Sequence, residues 1–117
     1  MRALIVLAAL LFTLPALARD AAAQAEIDWL LGRVEKSGAR FVRNGTEYPA
    51  SDAVSHFRLK LSRAGNRVKT ADDFIAGLAT KSSMSGEVYQ MKMADGKTVP
   101  TGDWLRTQLT QHRAAAR

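Results

Sequence analysis

The chain contains no cysteine, so it forms no disulfide, offers no thiolate nucleophile and has no residue for a lipoprotein anchor. Only two histidines occur in 117 residues, His56 and His112, and they lie far apart in the sequence. A metal site built from cysteine or histidine needs several such ligands, so neither a metal nor a cofactor is predicted. Stability must then come from a hydrophobic core rather than from covalent cross-links.

Aromatic residues are also few, at 7% of the chain, and most fall at positions expected to be buried. Nucleic-acid-binding proteins interleave basic residues with exposed aromatic side chains, so nucleic acid is not a predicted partner. The formal net charge is +6, but no run of five or six like charges occurs. This spread is typical of an ordinary soluble surface, or of weak attraction to anionic components of a cell envelope.

Long apolar runs are missing except at the amino terminus. There, Arg2 precedes an uncharged stretch at residues 3–14, and Pro15 leads into the small-x-small sequence Ala16-Leu17-Ala18. This layout predicts a secretory signal peptide over residues 1–18, and cleavage as late as residue 25 is the alternative.

An uncleaved membrane anchor is the alternative to a signal peptide. A membrane span needs about 20 apolar residues, and the run is shorter than that. We therefore expect a cleaved signal peptide and a periplasmic location. Residues 19–117 are expected to form a single domain with no transmembrane segment.

Hydrophobic periodicity and turn residues predict six elements, in the order helix, hairpin, helix, helix, hairpin, helix. The predicted fold class is α+β: a small, helix-rich single domain of about four helices packed on two short β-hairpins. The helices are expected at residues 24–36, 51–64, 70–79 and from 101 onward, and the hairpins are expected to turn at Asn44-Gly45 and Asp95-Gly96.

Polar residues are expected to begin three of the helices. Thr70 and Asp73 have the spacing of a capping box, and Ser51 and Thr101 are expected to cap the second and last helices. The polar, alanine-rich tail at residues 111–117 is expected to fray.

Motifs of catalysis and phosphate binding are missing as well. The segment at residues 77–82 ends in Lys-Ser but lacks the glycine spacing of a phosphate-binding loop. Neither Ser-x-x-Lys nor Gly-x-Ser-x-Gly occurs, and helix capping accounts for the adjacent acids Asp72 and Asp73. No catalytic residue is assigned, and whether the protein is an enzyme stays open.

Three stretches of the chain carry a resemblance to a protein family. They are residues 37–45 with Ala53 and His56, residues 69–75 and 79–86 with Tyr89, and Asp95-Gly96 with Trp104-Leu105. In this order and spacing the chain resembles the YfeK-like family of small exported bacterial proteins, a domain of unknown function. The resemblance covers residues 26–109. It implies a periplasmic location and a single small domain, and it implies no activity.

Three polar segments are more elaborate than simple connectors require: the Asn-Gly turn, the second helix, and the serine-rich stretch after the third. We hypothesise that they converge into one polar, weakly cationic patch that binds an anionic or carbonyl-rich envelope ligand, or an envelope protein. The structural alternative is that these side chains bond backbone groups and fix the loops. The residues of the patch are Arg43, Asn44, His56, Lys81, Ser82, Ser83 and Ser85.

The function that these observations favour is a non-enzymatic binding or interaction module of the cell envelope. The alternative is a small hydrolase or transferase that uses a serine with His56 or Lys81. That chemistry requires a serine hydroxyl about 3 Å from the histidine ring or the lysine amine. A third hypothesis is a basic helix face that touches lipid headgroups or cell-wall polymers.

Overall fold

The structure is a computed structural model that describes residues 19–117, and the predicted signal peptide lies outside the described residues. The elements follow the predicted order. They are α1 (Ala21–Lys36), β1 (Arg40–Arg43), β2 (Thr46–Pro49), α2 (Ala50–Ala64), a 3-10 turn (Gly65–Arg67), α3 (Ala71–Leu78), β3 (Gln90–Lys92), β4 (Thr98–Pro100) and α4 (Thr101–Ala115).

The two hairpins join into one antiparallel sheet with the strand order β2-β1-β3-β4. The first turns where predicted, since Asn44 and Gly45 have φ of 50° and 79°, the left-handed conformation that a two-residue Asn-Gly turn needs. The hairpins meet along β1 and β3, where Phe41 lies opposite Met91. This pairing satisfies backbone groups that each hairpin alone would leave exposed.

One face of the sheet packs against the helices, and the other is open. Phe41 and Met91 point inward and are buried, whereas Val42 and Lys92, the next residues along each strand, lie on the open face. The core forms between the inner face and the four helices, as expected for a small α+β domain. Its large, fully buried members include Ile27, Leu30, Leu31, Phe57, Phe74, Ile75, Tyr89 and Leu105.

The predicted capping box at the start of α3 is confirmed. The Thr70 hydroxyl accepts from the Asp73 N–H at 3.0 Å, and the Asp73 carboxylate accepts from the Thr70 N–H at 3.3 Å. The start of α1 was predicted too late, because Asp20 caps that helix by accepting from the N–H of Ala23 at 2.8 Å. These side chains satisfy N–H groups that have no partner within the helix.

The predicted caps Ser51 and Thr101 are wrong. In both places a strand ends in a proline that holds the N-cap position itself, Pro49 before α2 and Pro100 before α4, and no side chain caps either helix. Each proline has φ near −60° with an extended ψ, so the strand passes directly into the helix without an intervening polar residue.

The prediction that residues 111–117 fray is also wrong for most of that segment. Helix α4 continues to Ala115, because Arg113 donates to Glu26 of α1 at 2.8 Å and to Asp72 of α3 at 2.9 Å. Tertiary contacts of this kind supply the stability that a polar helix end lacks by itself.

The start of α4 lies unusually close to the segment that follows α3. A Cβ atom placed on Gly102 would come 2.8 Å from the Thr80 hydroxyl oxygen, so only glycine fits there without displacing a neighbour. The Thr80 hydroxyl in turn donates to the carbonyl of Ile75 at 2.7 Å. Within residues 19–117, no helix is both long enough and apolar enough to span a bilayer.

Candidate functional site

A cleft of about 480 Å³ lies along α2 and faces the serine loop, which we define as residues 81–86. Five basic residues and no acidic residue line the cleft. The cleft also has apolar lining, from Leu59, Leu78 and Met84. The basic residues are Arg43, His56, Lys60, Arg63 and Arg67.

Helix geometry places four of these basic residues along one stripe. His56, Lys60, Arg63 and Arg67 follow one another at intervals of four, three and four residues, which keeps them on one side of α2 and of the turn that extends it. The core-facing stripe of α2, which includes Phe57, is buried. The cationic stripe therefore borders the core without entering it.

The β-sheet supplies the other members of the site. Arg43 comes from the end of β1, and Tyr89 precedes β3. The backbone of Tyr89 is held on both sides, because its N–H donates to the Thr80 carbonyl and its carbonyl accepts from the Thr101 N–H, each at 2.9 Å. The ring is 2% exposed, and its hydroxyl reaches the cleft.

A chain of hydrogen bonds links these side chains and fixes the tautomer of His56. A guanidinium only donates hydrogen bonds, and Arg43 Nη1 lies 3.1 Å from His56 Nδ1, so Nδ1 is the acceptor. In the neutral ring the proton is then on Nε2, which donates to the Tyr89 hydroxyl at 3.0 Å. Lys60 donates to the same hydroxyl at 3.2 Å and to the carbonyl of Lys81 at 3.3 Å.

Aromatic rings hold the two cations in place. The Arg43 guanidinium lies 5.1 Å from the centre of the Tyr48 ring, and the Lys60 amine lies 4.9 Å from the centre of the Tyr89 ring. Cations are attracted to the faces of such rings. We call Arg43, His56, Lys60 and Tyr89 the cationic cluster.

The cationic cluster has no counter-ion within the described residues. None of the ion pairs there involves Arg43, His56 or Lys60. Asp52 shares a smaller cavity of about 210 Å³ with Arg43 and His56, but it forms no ion pair with either.

Burial is the largest cause of the pKa shifts in the cluster, and the neighbouring positive charges come second. Burial lowers the pKa of His56 below 6.5, and the nearby charges of Arg43 and Lys60 lower it further. The pKa of Lys60 is lowered by burial and then by Arg43. Burial raises the pKa of Tyr89 above its ordinary value of 10.0.

The serine loop is fixed by its own hydrogen bonds. Ser82 is buried, and its hydroxyl accepts from the N–H groups of Met84 and Ser85, each at 3.3 Å. The Ser85 hydroxyl bonds the Asn44 side chain and so joins the loop to the β1–β2 turn. These contacts are those of the structural alternative, and the buried Ser82 hydroxyl does not face solvent.

The structure brings most of the predicted patch together. Five of its seven residues line the cleft, and Ser85 contacts it through Asn44. Lys81 is the exception, because it contributes its backbone carbonyl to Lys60 while its side chain is not part of the cleft lining. That the patch binds a ligand stays a prediction. The five lining residues are Arg43, Asn44, His56, Ser82 and Ser83.

Two residues of the cationic cluster were missed in the sequence. Lys60 is not part of the predicted patch, although its position four residues after His56 could have joined it there. Tyr89 is buried, as expected for most aromatic residues of the chain. No local pattern shows that its hydroxyl meets His56, since 33 residues separate the two.

Metal binding finds no support in this arrangement. Among residues 19–117, no three histidine, cysteine or carboxylate side chains are grouped so that they could hold an ion. His112 lies elsewhere, stacked on Trp29 with ring centres 3.9 Å apart. The cleft offers hydrogen-bond donors and positive charge, which suit an anionic or carbonyl-bearing molecule.

Fold and site together define a small α+β domain with a cationic cleft between a helix and a serine-rich loop. The chain belongs to a family described as "Family of unknown function (DUF5329)", whose model matches residues 21–113. It is 45% identical to the uncharacterized protein YfeK of Salmonella typhimurium over 83 residues, which are 69% of each chain. The resemblance to a YfeK-like family is thereby confirmed. No solved structure matches the chain.

Proposed function

We propose that this protein is a non-enzymatic binding module of the bacterial periplasm that holds a small anionic ligand in the cleft. One observation carries the proposal: the cations Arg43 and Lys60 line the same cleft, linked through His56 and the Tyr89 hydroxyl, and neither forms an ion pair with a carboxylate. A half-buried group of like charges is unfavourable unless something neutralises it.

An anion in the cleft would supply what the cluster lacks. Its oxygen atoms accept from the Arg43 guanidinium and the Lys60 amine, and its charge offsets their mutual repulsion. The cations are already held by Tyr48 and Tyr89. Because the donors are fixed before the ligand arrives, little side-chain entropy is lost on binding.

The enzymatic alternative has no observation in its favour. It needs a serine hydroxyl at a ring nitrogen of His56 or at the amine of Lys81. Both His56 nitrogens are engaged with Arg43 and Tyr89. The hydroxyls of Ser82 and Ser85 bond the loop backbone and Asn44.

Titration of the purified domain with inorganic phosphate at low ionic strength tests the binding proposal. We expect saturable, salt-sensitive heat of binding in calorimetry. Arg43→Met and Lys60→Met each weaken binding at least tenfold. The matched control is Lys69→Met, which removes an exposed lysine outside the cleft. Equal affinity in all four proteins, or equal loss in the control, would contradict the proposal.

The contacts of the first two described residues favour cleavage after Ala18 over cleavage at a later position. Arg19 donates to the carbonyls of Val68 and Gly65 at 3.0 and 3.2 Å, and Asp20 caps α1. Cleavage after Ala18 leaves both residues in the domain, whereas cleavage after residue 23 or 25 removes them.

Expression of the full chain in a Gram-negative host tests export. The expected product is found in the osmotic-shock fraction, and its mass is that of a chain that begins at Arg19. Full-length protein in the cytoplasm contradicts the periplasmic location. A mature chain whose mass shows that it begins at residue 24 or 26 contradicts only the cleavage after Ala18.

A further inference from the structure

The cleft has an apolar wall as well as cations. Three large hydrophobic side chains are exposed in the described chain, and two of them, Leu59 at 48% and Met84 at 98%, line this cleft. The third, Val88, lies in a shallow depression on the open face of the sheet. Exposed hydrophobic side chains that gather at one site mark a binding surface more often than isolated ones do.

The exposure of Met84 is built into the loop. The N–H of Met84 donates to the buried Ser82 hydroxyl, and the loop closes through Ser82 and Glu87, whose N–H and carbonyl bond at 2.9 Å. The Met84 side chain is thus presented to solvent by a fixed backbone. A thioether side chain adapts its shape to varied apolar partners.

The dimensions of the cleft also exceed what an inorganic anion needs. Small-molecule sites span roughly 300–1,000 Å³, and this cleft has about 480 Å³. A bare phosphate or acetate at the cationic cluster would leave the surfaces of Leu59 and Met84 uncovered.

We propose that the ligand is a small amphipathic anion, a carboxylate or phosphate monoester with an attached apolar group. The charged end meets the Arg43 guanidinium and the Lys60 amine, which line the cleft. The apolar end covers Leu59 and Met84, which line the same cleft. This inference rests on the proposed function, since it adds an apolar group to the anionic ligand proposed there.

Four probes below their micelle-forming concentrations test the inference: octanoate, octyl phosphate, acetate and octyl glucoside. We expect octanoate or octyl phosphate to bind at least tenfold more tightly than acetate and than the uncharged glucoside. The better of the two identifies the preferred charged group.

Two variants test recognition of the charged end and of the apolar end of the ligand separately. Lys60→Met weakens octanoate binding at least tenfold and leaves the weak binding of octyl glucoside unchanged. Met84→Ser weakens octanoate binding and leaves acetate unchanged. Its matched control is Val88→Ser, an exposed hydrophobic residue outside the cleft.

The outcomes distinguish the two proposals. If acetate binds as tightly as octanoate in the wild type, the amphipathic inference is overturned while anion binding stands. If octyl glucoside binds as tightly as octanoate, and Lys60→Met changes neither, anion recognition itself fails.

Discussion

Two arginines tie distant parts of this fold together, and their surroundings are opposite. Arg113 of α4 bonds two carboxylates, those of Glu26 and Asp72. Arg43 of β1 contacts His56 and Tyr48, beside a second cation, Lys60. The first group pairs one positive charge with two negative ones, whereas the two cations of the second form no ion pair with any carboxylate in the described chain.

The pKa shifts follow the same division. A side-chain hydrogen bond from Arg113 lowers the pKa of Glu26, and the paired carboxylates raise the pKa of Arg113. At the other site the pKa values of His56 and Lys60 are both lowered, by burial first and then by Arg43. An arginine that is paired with carboxylates stabilises the fold, and one without such a partner leaves room for an anionic ligand.

The largest effect on stability is expected from Gly102→Ala, which disturbs the cleft without changing any charge. The new Cβ presses on Thr80, whose hydroxyl is already bonded. Overpacking of this kind costs about 1–3 kcal/mol. Because Thr80 leads into the serine loop and bonds the backbone of Tyr89, phosphate binding should weaken too. Urea denaturation and calorimetry measure the two effects.

The matched control for this variant is Gly32→Ala in α1. No atom lies within 4 Å of a Cβ placed there. Alanine in a helix interior is favoured over glycine by about 0.5–1 kcal/mol. Equal effects of the two substitutions on stability would show that Gly102 makes no close contact with Thr80.

A smaller effect is expected when the two arginines are removed in turn. Arg113→Met should lower the free energy of unfolding by about 1 kcal/mol, because its ion pairs are partly exposed. It should leave phosphate affinity unchanged. Arg43→Met should change stability by less than about 0.5 kcal/mol, since repulsion is relieved as contacts are lost. Thermal melting of both variants gives the stabilities, and a reversed order would break the comparison.

The smallest effect is the dependence of stability on pH that His56 introduces. The unfolded chain binds a proton on this ring near pH 6.5, whereas the folded chain binds it only at lower pH. Between these values the unfolded state holds more protons, so the free energy of unfolding falls as the pH drops below 6.5 and then levels off. Glu26 adds a further loss only below its ordinary value of 4.5.

His56→Gln should therefore remove the decline that begins below about pH 6.5. The groups that face His56 are Arg43 from β1, Tyr89 from the segment before β3, Lys60 from its own helix, and Asp52 across the smaller cavity. The control is His112→Gln, which should retain the decline. Chemical denaturation at a series of pH values makes the measurement, and a decline that persists in His56→Gln refutes this assignment.

The parts of the fold that sequence predicts are those determined by neighbouring residues. The Asn44-Gly45 turn and the capping box of Thr70 and Asp73 involve residues at most three apart, and both are confirmed. The end of α4 was predicted wrongly because its stability depends on remote contacts. Arg113 lies 87 residues from Glu26.

The same distinction applies to the site. Arg43 and His56 are only 13 residues apart and were placed in one patch. Tyr89 joins them because β1 pairs with β3, and no local pattern specifies which strands of two hairpins become neighbours. The sequence also places Lys81 in the patch, but its side chain does not line the cleft. A charged residue in a polar loop need not point into the neighbouring cleft.

Measurement of the His56 pKa by NMR, with and without saturating octyl phosphate, tests the central claim most directly. A neighbouring anion favours the charged form of the ring, so the account predicts that the ligand raises the pKa of His56. His112 is the other histidine of the chain and serves as an internal control whose resonances should not respond. An unchanged His56 pKa at saturating ligand would contradict the assignment of the cationic cluster as the binding site.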